Sequence, residues 1–225
     1  MDEVEKTYQE GKLLVRAMDQ PMLRKIDDNK YYECQTWVDE FTYLMNDGLY
    51  SLSTTLIVSN VGVKTYKNIG FLINSDLADC FHITKGDSGS NGNIKDGDFF
   101  ANKADFTSIL ELAQYIKENN VTTMNEVNIN VKLDAIIGLF INKCMASHEL
   151  LKNIFVVNNM LKNLTGIEYP IYLYDFNIGK MEKIDLSKEQ EDELVSSLAS
   201  DKIFCWPDGF DNPYFVPIEV SKYQK

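Results

Sequence analysis

Apolar and polar positions alternate at every second residue in several stretches of this chain. The clearest lies in its middle, where Glu126, Asn128 and Asn130 alternate with Val127, Ile129 and Val131. Successive side chains of a strand point to opposite faces, so one set can enter a core while the other lines a polar surface. The same reasoning predicts a strand over residues 11–18, with Leu13, Val15 and Ala17 on one face and Leu14 and Arg16 on the other. Further strands are predicted at 49–58, rich in β-branched residues, and at 69–74, 80–84 and 135–142. Cys80 and His82 are expected on the same side of their strand.

Helical spacing is read elsewhere. Tyr31, Cys34, Trp37, Val38, Phe41, Leu44 and Met45 predict a mostly helical stretch from about Met22 to Met45, ended by Asn46-Asp47-Gly48. An amphipathic helix is predicted over 104–119, capped near Asp105 and Thr107, and another from Ser147 to about Leu164, closed by Gly166. A hairpin is expected over 171–184 around Asn177 and Gly179, then a short acidic helix over 187–200. Beyond Ile203, Trp206, Phe210, Tyr214 and Phe215 stand among three prolines and predict an irregular aromatic tail packed back on the body. Interspersed strands and helices with hairpin connections point to an α+β fold. The expectation is a single domain over 1–225, with two packed, mainly antiparallel sheets and flanking helices.

Charge and composition narrow the function classes. The formal net charge is -12, which argues against nucleic acid and anionic membranes as partners. No apolar run is long enough for a membrane span, and the acidic, polar start MDEVEKTYQEGK is no classical signal peptide. Cys34, Cys80, Cys144 and Cys205 are widely spaced, which disfavours a disulfide framework and a structural zinc site. With His82 and His148 the only histidines, a His-rich metal site is excluded. The segment KGDSGSNGNIKDGD, from Lys85 to Asp98, predicts a long irregular loop. It approaches the spacing of a calcium loop but has Gly89 at the third position and Asp98 at the twelfth, so no metal is expected.

Cleaving the nicotinamide–ribose bond of NAD calls for few groups. The leaving group is good, and the difficulty is the positive charge that develops on the ribose. A carboxylate beside the ribose stabilises that charge, an arginine holds the pyrophosphate with paired hydrogen bonds, and a hydroxyl fixes the carboxylate rotamer. The chain carries such groups in the order Arg16 in KLLVRAM, Ser53-Thr54-Thr55 in SLSTTLI, and Glu126 in MNEVNI. In this order and strand context it resembles the mono-ADP-ribosyltransferase family, of the kind with an arginine, a Ser-Thr-Ser-like strand and a glutamate. The likeness covers about residues 10–145 and includes KTYKNIGFLIN, after the hydroxyl strand. Residues 146–225 add the C-terminal helix, hairpin and aromatic tail.

The resemblance implies an ADP-ribosyltransferase-like fold and NAD as substrate. It implies that Arg16, with Ala17, Thr54 and Ser53 beside it, binds the dinucleotide, that Ser53 orients Glu126, and that Glu126 stabilises the oxocarbenium-like transition state. Tyr66 or Phe71 is the candidate to stack on the nicotinamide. Segment 118–125 would help recognise a protein acceptor. Met124 stands where arginine-modifying members carry an acid or amide, so the acceptor side chain is left open, and Ala17 replaces a common glycine. Small transferases of this kind imply a bacterial protein, made in the cytoplasm and translocated into a host cell to act on a host protein. Two other readings stay open: a Cys–His hydrolase using Cys34 and His148, and a non-catalytic interaction domain with an acidic surface and aromatic tail.

Overall fold

The computed structural model describes residues 2–18, 24–27, 30–34, 50–86, 104–146, parts of 151–165, then 166–185, 187–190 and 215–219. Of 24–27, 30–34 and 215–219 only the backbone is described. The fold is a mixture of helix and strand around one eight-stranded, mainly antiparallel sheet.

Eight strands make up this sheet: β1 (Leu13–Met18), β4 (Tyr50–Ile57), β5 (Ile69–Asn74), β6 (Asp79–Thr84), β7 (Glu126–Val131), β8 (Ile136–Asn142), β9 (Ile171–Asp175) and β10 (Lys180–Lys183). Their order is β10-β9-β8-β5-β1-β4-β7-β6. Among the described residues only β8 and β9 run parallel. Where two packed sheets were expected, β4 joins both groups of strands into one sheet. Three of its residues, Thr55, Leu56 and Ile57, pair with β1, and five, Tyr50 to Thr54, pair with β7.

A separate ladder joins β2 (Arg24–Asp27), β3 (Lys30–Cys34) and β11 (Phe215–Glu219). It corrects two expectations. Residues 24–27 and 30–34 are strand rather than helix, and residues 215–219 of the aromatic tail are strand rather than irregular wrap. Tyrosines and β-branched residues suit strands, and the ladder pairs residues nearly the whole chain apart, a partnership no local periodicity can show. Residues 35–49, residues 87–98 of the expected 85–98 loop, His148 and the rest of the tail lie outside the described residues.

The central strands are buried on both faces, which explains their unbroken apolar runs. β8 is buried throughout, and β5 in all but its last residue. Helix α1 (Glu3–Gln9) packs on β1, β5 and β8 through Val4, Thr7 and Tyr8. Its N-cap is Asp2, whose carboxylate accepts from the Glu5 amide at 3.0 Å and from the Tyr172 hydroxyl. The polar start of the chain did not advertise this helix. Buried hydroxyls elsewhere find partners too: Tyr8 donates to the Val58 carbonyl and Tyr174 to that of Val63.

Helix α2 (Ile109–Asn119) covers β4 and β6 with Ile109, Leu112, Ala113 and Ile116. Full burial of a side chain such as Leu112 is worth about 1.5–3 kcal/mol. The helix starts later than its periodicity suggests. Ser108 caps it, and Glu111 reaches back to the Thr107 amide and hydroxyl, both at 2.8 Å. Asn120, with φ 48°, ends it in the left-handed region. Helical backbone is described at positions between 151 and 165, with Ile154, Asn158 and Leu161 buried, and Gly166 (φ 76°) closes it. Gly179 (φ 60°) turns the β9–β10 hairpin. Among the described residues no helix is long and apolar enough to cross a membrane.

Candidate active site

The site forms where β1 and β4 part. Their pairing ends at Val15 and Thr55, and beyond it β1 continues against β5 while β4 continues against β7. A cavity of about 310 Å³ opens at this fork. β1 contributes Val15, Arg16 and Ala17 to it, and β4 contributes Ser53, Thr54 and Thr55. Tyr66 lines it from the β4–β5 connection, and Met124, Asn125 and Glu126 line it at the start of β7. Arg16 spans the fork, its Nη1 donating to the Ser53 carbonyl at 3.2 Å.

Glu126 is nearly buried, at 8% exposure. A carboxylate there needs hydrogen-bond partners to offset lost hydration. Ser53 Oγ donates to Glu126 Oε1 at 2.7 Å, a charge-assisted bond that selects one carboxylate rotamer. Strand alternation makes it possible. Ser53 sits opposite Asn128 in register, so Ser53, Asn128 and Glu126 share a face while Leu52, Val127 and Ile129 enter the core. Thr54 belongs to the core face. It is 3% exposed and its hydroxyl is committed to the Val127 carbonyl at 2.7 Å, although the residue touches the cavity. The Thr84 hydroxyl is shared between the Gly86 carbonyl at 2.7 Å and the Glu126 carbonyl at 3.3 Å, tying β6 to the start of β7.

Asn125 is 1% exposed. Its Oδ1 accepts from the Leu56 amide at 2.8 Å and its Nδ2 donates to the Leu56 carbonyl at 2.9 Å. The segment before it is held as well, the Lys64 amide donating to the Thr122 carbonyl at 3.0 Å.

The two aromatic candidates part company. Tyr66 is 70% exposed at the cavity, with Lys67 Nζ 5.7 Å from its ring centroid. Phe71 pairs with Arg16 in the β1–β5 register and so shares its face of the sheet, but it is fully buried and packs in the core. The Tyr66 turn is anchored from below by buried Asn142. Its Nδ2 donates to Thr65 Oγ1 at 3.1 Å and to Asn68 Oδ1 at 2.8 Å, and its amide donates to the Asn68 carbonyl at 2.7 Å.

The fold therefore brings together Arg16, Ala17, Ser53, Thr54, Tyr66 and Glu126, and leaves Phe71 in the core. Sequence reasoning placed Thr55 only in the Ser53-Thr54-Thr55 run, and did not single out Val15 or the hydrogen-bonding part played by Asn125. A signal for the last exists: Asn is a short side chain able to bond backbone, and here it immediately precedes a strand.

Cysteine chemistry has a less favourable setting among the described residues. Burial, then the Asp79 and Asp76 carboxylates, push the Cys80 thiol up to about 11, so it stays protonated at neutral pH. A register shift places Cys80 opposite Ile129 and His82 opposite Asn128, hence on opposite faces rather than the same side. The Cys34 side chain and His148 lie outside the described residues, and Cys144 is an exposed free thiol. Among the described residues no group of three or more His, Cys, Asp or Glu side chains is placed to hold a metal.

No protein-family model matches the sequence, and no curated protein matches it at a significant level. A nearly buried carboxylate with one oxygen held by a hydroxyl, a guanidinium at the fork and an aromatic ring at the mouth suit a ligand that is anionic at one end and becomes cationic at a reacting carbon.

Proposed function

We propose that this protein transfers ADP-ribose from NAD to a protein acceptor, with NAD hydrolysis when water takes the acceptor's place. One arrangement supports this reading above others: Arg16, Ser53 and Glu126, from three distant segments, line one cavity, with Ser53 Oγ 2.7 Å from Glu126 Oε1. These are the three groups on which the resemblance to the mono-ADP-ribosyltransferases rests. The fold reading that accompanies it is an ADP-ribosyltransferase-like core, in which the β8-β5-β1 and β4-β7-β6 strands act as two leaves diverging at the fork.

The chemistry follows from these groups. The cavity, at about 310 Å³, lies at the small end of the roughly 300–1,000 Å³ typical of ligand sites. It suits the nicotinamide–ribose part of the dinucleotide, with the rest running outward past Arg16. Arg16 holds phosphate oxygens, and Tyr66 stacks on the nicotinamide. The bond between nicotinamide nitrogen and ribose C1′ breaks, its electron pair leaving with nicotinamide. Positive charge spreads over C1′ and the ring oxygen, and Glu126 faces that charge while accepting from the ribose 2′-hydroxyl. Ser53 holds the other carboxylate oxygen, so the geometry is set before the charge appears. The acceptor's nucleophile then bonds to C1′ and gives up its proton to solvent. No metal takes part. By the same resemblance the protein is a bacterial effector that acts on a host protein.

The test is incubation with labelled NAD and a cell lysate, wild type beside Glu126→Ala. Nicotinamide release and label transfer by wild type, both lost in the variant, are expected. Absence of both from wild type would leave the non-catalytic interaction reading in its place.

A further inference from the structure

The start of β7 is set by a side chain, and the register shows how. Leu52 pairs with Ile129 and Thr54 with Val127. The next pair in this series is Leu56 with Asn125. Backbone pairing stops before it, and the Asn125 carboxamide occupies the place a strand backbone would take. It accepts from the Leu56 amide at 2.8 Å and donates to the Leu56 carbonyl at 2.9 Å. These are the two bonds an antiparallel partner would exchange.

The substitution has a geometric result. Leu56 is fully buried, so its peptide groups need partners. With the carboxamide supplying them, the main chain is free to leave the sheet at Glu126, and Met124 stands at the cavity wall rather than in the ladder. A side chain without both a donor and an acceptor offers two alternatives. Either Leu56 loses its partners, or the backbone zips on by one pair and draws segment 120–125 across the fork. Glu126 is the last residue before that departure, and its carboxylate rotamer depends on where the departure falls.

We infer that Asn125 is a positioning residue, whose carboxamide ends the β4–β7 ladder and thereby holds Glu126 in the cavity. Its catalytic consequence rests on the transferase reading, whereas its structural consequence does not.

The test uses Asn125→Ala and Asn125→Asp in the full chain, with residue-resolved amide exchange and NAD cleavage as readouts. In Asn125→Ala, either the Leu56 amide exchanges about tenfold faster or more, or the amide of residue 125 gains protection as the ladder extends. In Asn125→Asp, an acceptor for the Leu56 amide survives, so that amide keeps intermediate protection. The kcat for nicotinamide release falls about 10- to 100-fold in Asn125→Ala with KM for NAD changed less than about threefold, the signature of a misplaced group rather than lost binding. Asn125→Asp recovers part of it, and carries the test alone if Asn125→Ala does not fold. Unchanged exchange at both positions overturns the inference, as does altered exchange with undiminished kcat. If wild type releases no nicotinamide, the transferase reading fails, and amide exchange still decides whether Asn125 ends the ladder.

Discussion

Gly70 sits in β5 directly opposite Ala17, with φ at 157°, a region that favours glycine. A Cβ placed there would lie 1.9 Å from the Arg16 carbonyl oxygen, 2.9 Å from its carbon and 3.1 Å from the Met18 nitrogen. Real Cβ contacts do not fall below 3.0 Å, so Gly70→Ala forces β1 and β5 apart by about 1 Å at Arg16. The obstacle is backbone on both sides, in the middle of the sheet, and cannot swing away. Overpacking of this sort costs about 1–3 kcal/mol, and holding alanine at the glycine φ about 1–3 kcal/mol more. The total, about 2–6 kcal/mol, is a large share of the roughly 5–15 kcal/mol that holds a domain folded. At about 2–4 °C per kcal/mol for a chain of this size, the midpoint drops by roughly 4–24 °C. Thermal unfolding followed by circular dichroism measures it. Gly86→Ala is the control, because a Cβ at Gly86 meets nothing within 4 Å; its stability stays within about 0.5 kcal/mol of wild type, a midpoint shift of about 2 °C at most. A Gly70→Ala midpoint as close to wild type as the control's would refute the steric reasoning.

Other expectations follow from individual contacts. Ser53→Ala removes the bond to Glu126 Oε1. Charge-assisted bonds are worth about 1.5–3 kcal/mol, and the site is open, so kcat for nicotinamide release falls about tenfold with little change in KM. An unaltered kcat in that variant would exclude Ser53 as the group that orients Glu126. For Asp2, burial alone would raise the carboxyl's pKa, but the Glu5 amide, the Tyr172 hydroxyl and the charge of Lys183 outweigh it, and the net direction is down. A carboxyl that titrates lower in the folded state adds stability above its unfolded value, near 3.9, and loses it as pH falls through the folded one. Asparagine still caps a helix, so Asp2→Asn isolates the charge. Wild type melts higher than Asp2→Asn at pH 6, and the gap narrows as pH falls below the unfolded value and through the lower folded one; a gap that does not change with pH would contradict this.

Much of the sheet was legible in local patterning. Strands at 13–18, 50–57, 69–74, 79–84, 126–131 and 136–142 fall where alternation or apolar runs placed them, as does the 171–183 hairpin. What alternation cannot show is pairing. Tyr31 and Cys34 fit a helical stripe as readily as a strand, and only the ladder with Phe215–Glu219 decides for strand. Nor can it show that β4 serves two neighbours along different halves of its length, which turns two expected sheets into one with a fork. The aromatic pair makes the same point at residue scale. Tyr66 and Phe71 are equivalent by type and nearness, yet one stands in solvent at the cavity and the other packs in the core.

By itself the sequence determined which residues face together within a strand, because the backbone pleat has a period of two wherever the strand lies. It also determined that Glu126 is a lone acid on the polar side of an apolar strand. Tertiary structure alone decided that Arg16 and Ser53 reach the same cavity, and that Asn125 replaces a missing stretch of ladder. Those relations depend on register between segments 37 to 110 residues apart, and register is settled by the packing of the whole sheet, which no short window of sequence contains.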